Sequence, residues 1–307
     1  MSNPSPLRVK TISEYHQFMG LPKPAHPLIS VVKFEDVKRM PNTPGKFSLV
    51  MDCYSISLKR SFNAKMIYGQ QSYDFDEGIM FFLSPGQVFG IEAKEGVEIT
   101  HNGWMLLIHP DFLWNTPLAK NIKGYEFFDY AVHEALFLSE KEENTMIGIM
   151  QNIEQEYMAN IDKFSQDIII AQLELLLTYS ERFYNRQFIT RKITNHQILD
   201  KLEQILNDHF NSETLINKGL PTVTDIAEQL NVSPGYLSGL LKVLTGLNTQ
   251  QHIHQKLIDK AKEQLSTTSL SVSEIAYQLG FEHPQSFSKL FKTKTNLSPL
   301  EFRQSFN

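Results

Sequence analysis

Short hydrophobic runs separated by turn residues dominate the chain from Lys46 to Pro110. Runs such as FSLVMDCYSISL and GIMFFLSPGQVFGI are rich in β-branched and aromatic residues, and Gly, Asp-Glu-Gly and Ser-Pro-Gly stand between the runs. Strands at such short intervals are typical of a β-sandwich or a small barrel. We therefore expect strands over residues 46–110.

After Asp111 the apolar residues recur at the three-to-four spacing of helices. Ser139 and Glu142 have the form of a capping box, which predicts that a helix begins there. The pattern predicts helices over about residues 139–185, and Arg186–Asn195 is interpreted as a connector.

The order of these patterns predicts two domains and an α+β fold class. Strands followed by helices make up an N-terminal domain of mixed class, residues 1–190. Every apolar run beyond the connector has helical spacing, so residues 195–307 are expected to form an all-α domain.

One module occurs twice within the C-terminal domain, at residues 222–247 and 271–297, with a helix over residues 249–265 between the copies. Two copies are too few to stack into a solenoid. The first copy's apolar positions recur 49 residues later, and after one inserted residue the offset becomes 50. The first matched positions are Ile226, Ala227 and Leu230, which recur as Ile275, Ala276 and Leu279.

Each copy has the pattern of a helix-turn-helix. In the second copy a capping box at Ser271 and Glu274 opens a short helix, and Gly280 is expected to end it in a left-handed conformation. The next helix buries Phe287, Leu290 and Phe291. Its other face is polar and basic, as a helix in the major groove of DNA requires. The candidate DNA-binding residues are Gln285, Ser286, Ser288, Lys289 and Lys292 in the second copy, and Gly235, Tyr236, Ser238, Gly239 and Lys242 on the outer face of the first.

The segment Ser269–Arg303 resembles the AraC/XylS family of bacterial regulators. The motifs that carry the resemblance are Ile275-Ala276, Leu279-Gly280-Phe281, the Phe-Ser-Lys-Leu-Phe-Lys run at 287–292 and Ser-Pro-Leu-Glu-Phe-Arg at 298–303. It extends back through Pro221 and covers about 90 residues. Some relatives have large polar residues where this chain has Gly235, Ser238 and Gly239, so base reading by the first copy is left open.

The resemblance implies a cytoplasmic, sequence-specific transcription regulator that binds double-stranded promoter DNA. It further implies a cupin-like N-terminal domain, followed by helices that pair two protomers into a homodimer. A small-molecule effector would act on that domain, and an activator would contact RNA polymerase. Phe82, Phe89 and Trp104 are the candidate effector-pocket residues. Two alternatives remain: a ligand-independent regulator controlled by a partner protein or by expression level, and a cupin-type enzyme fused to a DNA-binding module.

Composition limits these readings. Apolar residues make up 41% and charged residues 21%, and the net charge is −5. These values are ordinary for a globular protein. From Asn195 onward the chain has ten Lys and Arg against eleven Asp and Glu, although DNA-binding domains are usually basic. We therefore expect moderate affinity per monomer, a steep salt dependence and a need for paired sites.

Candidate chemistry is sparse. Cys53 is the single cysteine, which excludes an internal disulfide and a Cys-based zinc site. His101 and His109 flank a predicted strand without a convergent third ligand, so neither metal nor cofactor is expected. An enzyme would also need an activated nucleophile, so no catalytic residue is assigned. No apolar run is long enough to span a membrane or serve as a signal peptide.

Overall fold

The computed structural model forms two compact units, Met1–Gln187 and Phe188–Asn307. The first unit contains strands and helices, and the second contains helices. The prediction of a mixed helix-and-sheet chain is therefore confirmed. The residues that the structure describes are 6–37, 45–68, 71–75, 78–93, 101–131, 134–159, 162–190, 192–211 and 219–305.

Nine strands of the first unit join into one sheet over the described residues. All the pairings are antiparallel except β1 with β3, which is parallel. The strands are β1 (Leu7–Val9), β2 (Ile29–Lys33), β3 (Gly45–Met51), β4 (Tyr54–Tyr68), β5 (Gln71–Phe75), β6 (Ile79–Leu83), β7 (Val88–Ala93), β8 (His101–Ile108) and β9 (Leu136–Phe137).

The long strand β4 organises the sheet, because it pairs with β5, β6, β7 and β8. The main path runs β1-β3-β7-β4-β6-β9, and β8 joins β2 to β4. Among the described strands this path does not close on itself, so the closed cupin-like barrel is not shown.

The two faces of β4 have different surroundings, because alternate side chains of a strand point to opposite faces. Ile56 and Leu58 lie on one face, which we call the outer face. Ser55, Ser57 and Lys59 lie on the inner face, opposite Leu83, Phe81 and Ile79 of β6. Those three β6 residues belong to the core cluster that the sheet forms with the first helix. The inner face of β4 is therefore part of the core of this unit.

Among the described residues four α-helices accompany the sheet: α1 (Ile12–Met19), α2 (Leu118–Asn121), α3 (Glu140–Met158) and α4 (Ser165–Thr190). The capping box of α3 at Ser139 and Glu142 is confirmed. The predicted connector is wrong, because α4 continues through Arg186. The Arg186 guanidinium donates to the Glu142 carboxylate and, at 2.6 Å, to the Phe137 carbonyl, and these bonds hold the helix in place.

The second unit contains seven helices among its described residues. Residues from all but the last form one buried cluster, with Phe302 of the last helix packed against it. Gly280 has a φ of +82°, as its place in the turn predicts. The helices are α5 (Lys192–Asn211), α6 (Val223–Leu230), α7 (Pro234–Thr245), α8 (Thr249–Thr267), α9 (Val272–Gln278), α10 (Pro284–Thr295) and α11 (Pro299–Gln304).

Candidate nucleic-acid interface

Aromatic packing fixes the orientation of α10. Phe287 and Phe291 are fully buried, and their ring centroids lie 5.8 Å apart. Phe281, in the turn between α9 and α10, lies 5.5 Å from Phe287, and Phe302 of α11 lies 5.5 Å from Phe291. The rings of Phe281 and Phe302 pack against the side of α10 that carries Phe287 and Phe291, so the opposite side faces solvent. Leu290, predicted to be buried, is half-buried at the edge of this packing.

The solvent face of α10 carries the residues predicted to contact DNA. Gln285, Lys289 and Lys292 are exposed and follow the i, i+4, i+7 spacing of a single helical stripe. Ser286 is exposed beside them, and Ser288 is half-buried. The structure thus brings two amines and an amide together on one convex surface, which can donate hydrogen bonds to base edges and phosphates.

The equivalent face of α7 is nearly bare. Gly235 and Gly239, the counterparts of Gln285 and Lys289 at an offset of 50 residues, are both half-buried. Lys242, the counterpart of Lys292, is exposed near the end of the helix. Along this stripe the groups of α7 that could contact DNA are therefore backbone atoms and the Lys242 amine.

Tyr236 does not lie on the outer face of α7 as predicted. It is 7% exposed, and its ring meets that of Phe188 edge to face at 5.1 Å. Ser238 is also engaged inside the unit, because its hydroxyl lies 3.0 Å from that of Thr249 on α8. Both side chains hold the helix in place on its inner side.

Three carboxylates of this unit are engaged at helix N-termini. Asp225, Glu274 and Glu301 each accept a hydrogen bond from the backbone N–H of the helix N-cap residue three positions earlier. For Glu274 a hydrogen bond from the N-cap side chain, and for Asp225 and Glu301 the backbone bond, is the largest cause that lowers the pKa of the carboxyl group; both kinds of bond act on all three. The helix dipole offsets such charges. The nearly even numbers of basic and acidic residues from Asn195 onward therefore conceal a local excess of positive charge on α10, which carries three lysines and no Asp or Glu.

Arg303 is a structural residue in this arrangement. Its Nε donates to the carbonyl of Leu265 at the end of α8, at 3.1 Å. The bond ties the last helix to the long helix between the two modules, and the guanidinium is half-buried there.

The three aromatic residues predicted to line an effector pocket are not brought together. Phe82 lies on the outer face of the sheet, 4.5 Å from the ring of Phe127. Phe89 belongs to the core on the inner face. Trp104 is half-buried on the outer face, with the Lys33 ammonium 4.9 Å from its ring.

The sequence analysis missed a buried lysine on the inner face of β4. Lys59 is 4% exposed and follows Ser55 and Ser57 at alternate positions of the run YSISLK. The available signal is the alternation of these three polar residues with Ile56 and Leu58 in the run YSISLK. Alternation by itself predicts a strand but does not say which face of the strand is buried.

The described residues contain no group of three or more His, Cys, Asp and Glu placed to hold a metal ion. The His109 ring accepts a hydrogen bond from the Asp111 N–H, and the side chain of His101 lies outside what the structure describes. None of the described helices has the length and apolar character to cross a membrane.

Comparison with known proteins gives one consistent result. Residues 226–305 match the family model of a helix-turn-helix domain. The chain is 30% identical over 245 residues to the HTH-type transcriptional activator RhaS of Salmonella agona and 33% identical to RhaS of Salmonella paratyphi A. Each match covers 78% of this chain and 80% of the relative. The C-terminal domain of the response regulator YesN from Fusobacterium nucleatum is 32% identical; the match covers 34% of this chain and 95% of that domain, with a TM-score of 0.30.

Proposed function

Because the chain belongs to the AraC/XylS family of DNA-binding transcription regulators, we propose that α10 is the helix that reads its operator. Gln285 and Lys289, the first two residues of the exposed stripe, contact base edges in the major groove. Lys292 contacts phosphate, and Ser286 and Ser288 add polar contacts beside the stripe. The observation that carries this proposal is the single polar face that the aromatic packing of α10 leaves to solvent.

The first module binds without reading bases. Gly235 and Gly239 present no side chain beyond the backbone, so α7 approaches the duplex closely and Lys242 contacts phosphate. Tyr236 and Ser238 position the helix from its inner side. We therefore assign sequence discrimination to α10 and a share of the affinity to α7.

The helix α8 separates the two modules. Ile253, Leu257 and Ile258 on α8 are buried in the core shared by both modules. A single packed helix between two readers favours insertion into successive major grooves, which lie about 34 Å apart. The proposed operator therefore extends over more than one helical turn, with base discrimination concentrated at one end.

The first unit is proposed to pair two copies of the chain through α4. Ile168, Ala171 and Leu175 on α4 and Phe164 in the turn before it are all exposed and follow a 4-3-4 spacing. This is the seam of a coiled coil, in which each stripe packs against an equivalent one. Two copies related by a twofold axis would cover both stripes.

The first unit is also proposed to bind a small-molecule effector, since a ligand with different affinities for two arrangements of the dimer shifts the balance between them. The relatives are named transcriptional activators. That name supports the proposal that the chain contacts RNA polymerase at a promoter. The proposed location is the cytoplasm, where bacterial DNA lies. The proposal includes no chemical reaction, because the relatives regulate transcription.

The test is a double substitution, Gln285→Ala with Lys289→Ala, in the full chain. Operator fragments are first selected from the source genome, and binding to a selected and a scrambled duplex is measured by fluorescence anisotropy. Loss of one good base contact reduces discrimination by about 10- to 100-fold. The control is Lys201→Ala with Gln204→Ala, an exposed pair of the same chemistry on α5. Unchanged discrimination in the first variant would overturn the assignment.

A further inference from the structure

The residue before α10 does not cap this helix with its side chain. His283 occupies the N-cap position, and its ring accepts no hydrogen bond from the first turn of the helix. The backbone N–H of Ser286 bonds instead to the carbonyl oxygen of His283, at 3.0 Å. The imidazole is therefore not needed to begin the helix.

The equivalent residue of the first module has a different role. Ser233 is the counterpart of His283 at an offset of 50 residues, and its hydroxyl accepts a hydrogen bond from the backbone N–H of Tyr236 at 3.2 Å. Tyr236 is itself the counterpart of Ser286. The two modules thus satisfy equivalent N–H groups in different ways, with a side chain in the first and a backbone carbonyl in the second.

His283 also differs from the other described N-caps of this unit. Those five residues are Ser, Thr or Asn, and each accepts a hydrogen bond from its helix through its side chain: Thr222, Ser233, Asn248, Ser271 and Ser298. Such caps stabilise a helix, and histidine is not one of the residue types favoured there. A position that departs from a local rule is expected to serve a function.

The ring of His283 is available to a partner outside the chain. The residue is exposed, and it lies two positions before Gln285, the first residue of the exposed stripe of α10. Among the described residues no group is bonded to its ring. An imidazole carries a hydrogen on at least one ring nitrogen, so His283 can donate a hydrogen bond.

We propose that the ring of His283 donates a hydrogen bond to a phosphate of the DNA backbone, at the edge of the groove that α10 enters. The inference rests on the proposed function, in which Gln285 and Lys289 contact base edges. When a helix lies in the major groove, the residue just before it is placed near the groove's edge, where the phosphates lie. A phosphate contact there fixes the register of the helix and carries no sequence information.

The proposed contact replaces stability of the helix with affinity for DNA. A serine at this position would accept the N–H of Ser286 and stabilise α10. Its side chain is shorter than that of histidine, so it would not extend to the phosphate. Stability and DNA affinity should therefore change in opposite directions in His283→Ser, which a purely structural role of His283 would not produce.

The experiment compares three variants of the full chain: His283→Ala, His283→Ser and His283→Gln. Fluorescence anisotropy gives the affinity for the selected and the scrambled duplex, and circular dichroism during heating gives the unfolding midpoint. His283→Ala should weaken binding to both duplexes by about three- to tenfold, the effect of one hydrogen bond. His283→Ser should weaken binding similarly and raise the midpoint. His283→Gln keeps an N–H donor and should retain most of the affinity.

Two matched controls separate the contact from a general disturbance of the unit. Ser233→Ala removes the cap at the equivalent position of the first module. It should lower the unfolding midpoint and leave the affinity for DNA nearly unchanged. Glu282→Ala changes the exposed residue next to His283. It should not weaken binding, because a carboxylate does not attract phosphate.

Three results would overturn the inference: unchanged affinity of His283→Ala for both duplexes, a loss confined to the selected duplex, or wild-type affinity of His283→Ser. The variant Gln285→Ala with Lys289→Ala distinguishes this inference from the proposed function. If that variant loses discrimination while His283→Ala binds as the wild type does, only the phosphate contact is wrong. If that variant keeps its discrimination, the assignment of α10 as the reading helix is wrong.

Discussion

The hydroxyl of Ser238 on α7 lies 3.0 Å from the hydroxyl of Thr249, the first residue of α8. Thr249 is fully buried, so the contact lies inside the second unit. Ser238, which was a candidate DNA-binding residue, therefore joins two helices of the same unit. Both modules have the same helix-turn-helix arrangement, but in the first module this serine stabilises the packing of α7 on α8.

Replacing Ser238 should accordingly affect stability more than DNA recognition. Ser238→Ala removes one partly buried hydrogen bond and should lower the free energy of unfolding by about 1 kcal/mol. Far-UV circular dichroism during urea unfolding measures this change, and anisotropy with selected and scrambled duplexes measures discrimination, which should not change. Ser273→Ala, at an exposed position on α9, is the control. A loss of discrimination without a loss of stability would identify Ser238 as a reader after all.

Lys292 should contribute affinity that does not depend on sequence. Lys292→Ala should weaken binding to selected and scrambled duplexes by similar factors, because a phosphate contact carries no base information. It should also make the slope of log affinity against log salt concentration shallower by about 0.9, the value for one phosphate contact. Binding measured from low to physiological salt provides the slope. A change confined to the selected duplex would move Lys292 into the set that reads bases.

Acid should weaken the cap of α9. Hydrogen bonds from the side chain and the backbone N–H of Ser271 lower the pKa of Glu274. A carboxyl group with a lower pKa in the folded state stabilises it above the unfolded value of about 4.3 and loses this contribution as the pH falls through the folded value. Glu274→Gln should flatten the fall in unfolding free energy below about pH 4.3, measured by circular dichroism in a pH series. Glu282→Gln, at an exposed position before α10, is the matched control for loss of one carboxylate.

Features encoded in a few neighbouring residues could be predicted from the sequence. The capping boxes at Ser139 and Ser271 and the left-handed Gly280 are confirmed, because their partners lie within four residues along the chain. The duplicated apolar positions likewise indicated the buried faces of α7 and α10.

Features that depend on distant contacts could not. Tyr236 is buried because Phe188 packs against its ring, and 47 residues separate the two along the chain. α4 continues through Arg186, whose guanidinium pairs with Glu142 on α3, and no local pattern shows that ion pair. Lys59 belongs to the core because Phe34, which follows β2, and Phe81 on β6 pack against it. In each case the partner comes from another element, and periodicity within one element cannot reveal it.

The exposed stripe on α4 leads to the last prediction, which concerns assembly. Ile168→Asp with Leu175→Asp places two carboxylates where the seams of two copies would meet. Burying unpaired charges there is unfavourable, so the variant should be monomeric. Light scattering coupled to size exclusion should give 35.4 kDa for the variant and twice that mass for the wild type. Gln151→Asp with Gln155→Asp, an exposed pair on α3, is the control and should leave the mass doubled.

DNA binding gives a second measurement. The variant with Ile168→Asp and Leu175→Asp should bind a single operator half as tightly as the wild type does. It should lose the additional affinity that the wild-type dimer has for two linked operator halves. A wild-type chain that stays monomeric at micromolar concentration, or a variant that still pairs, would exclude α4 as the dimer contact.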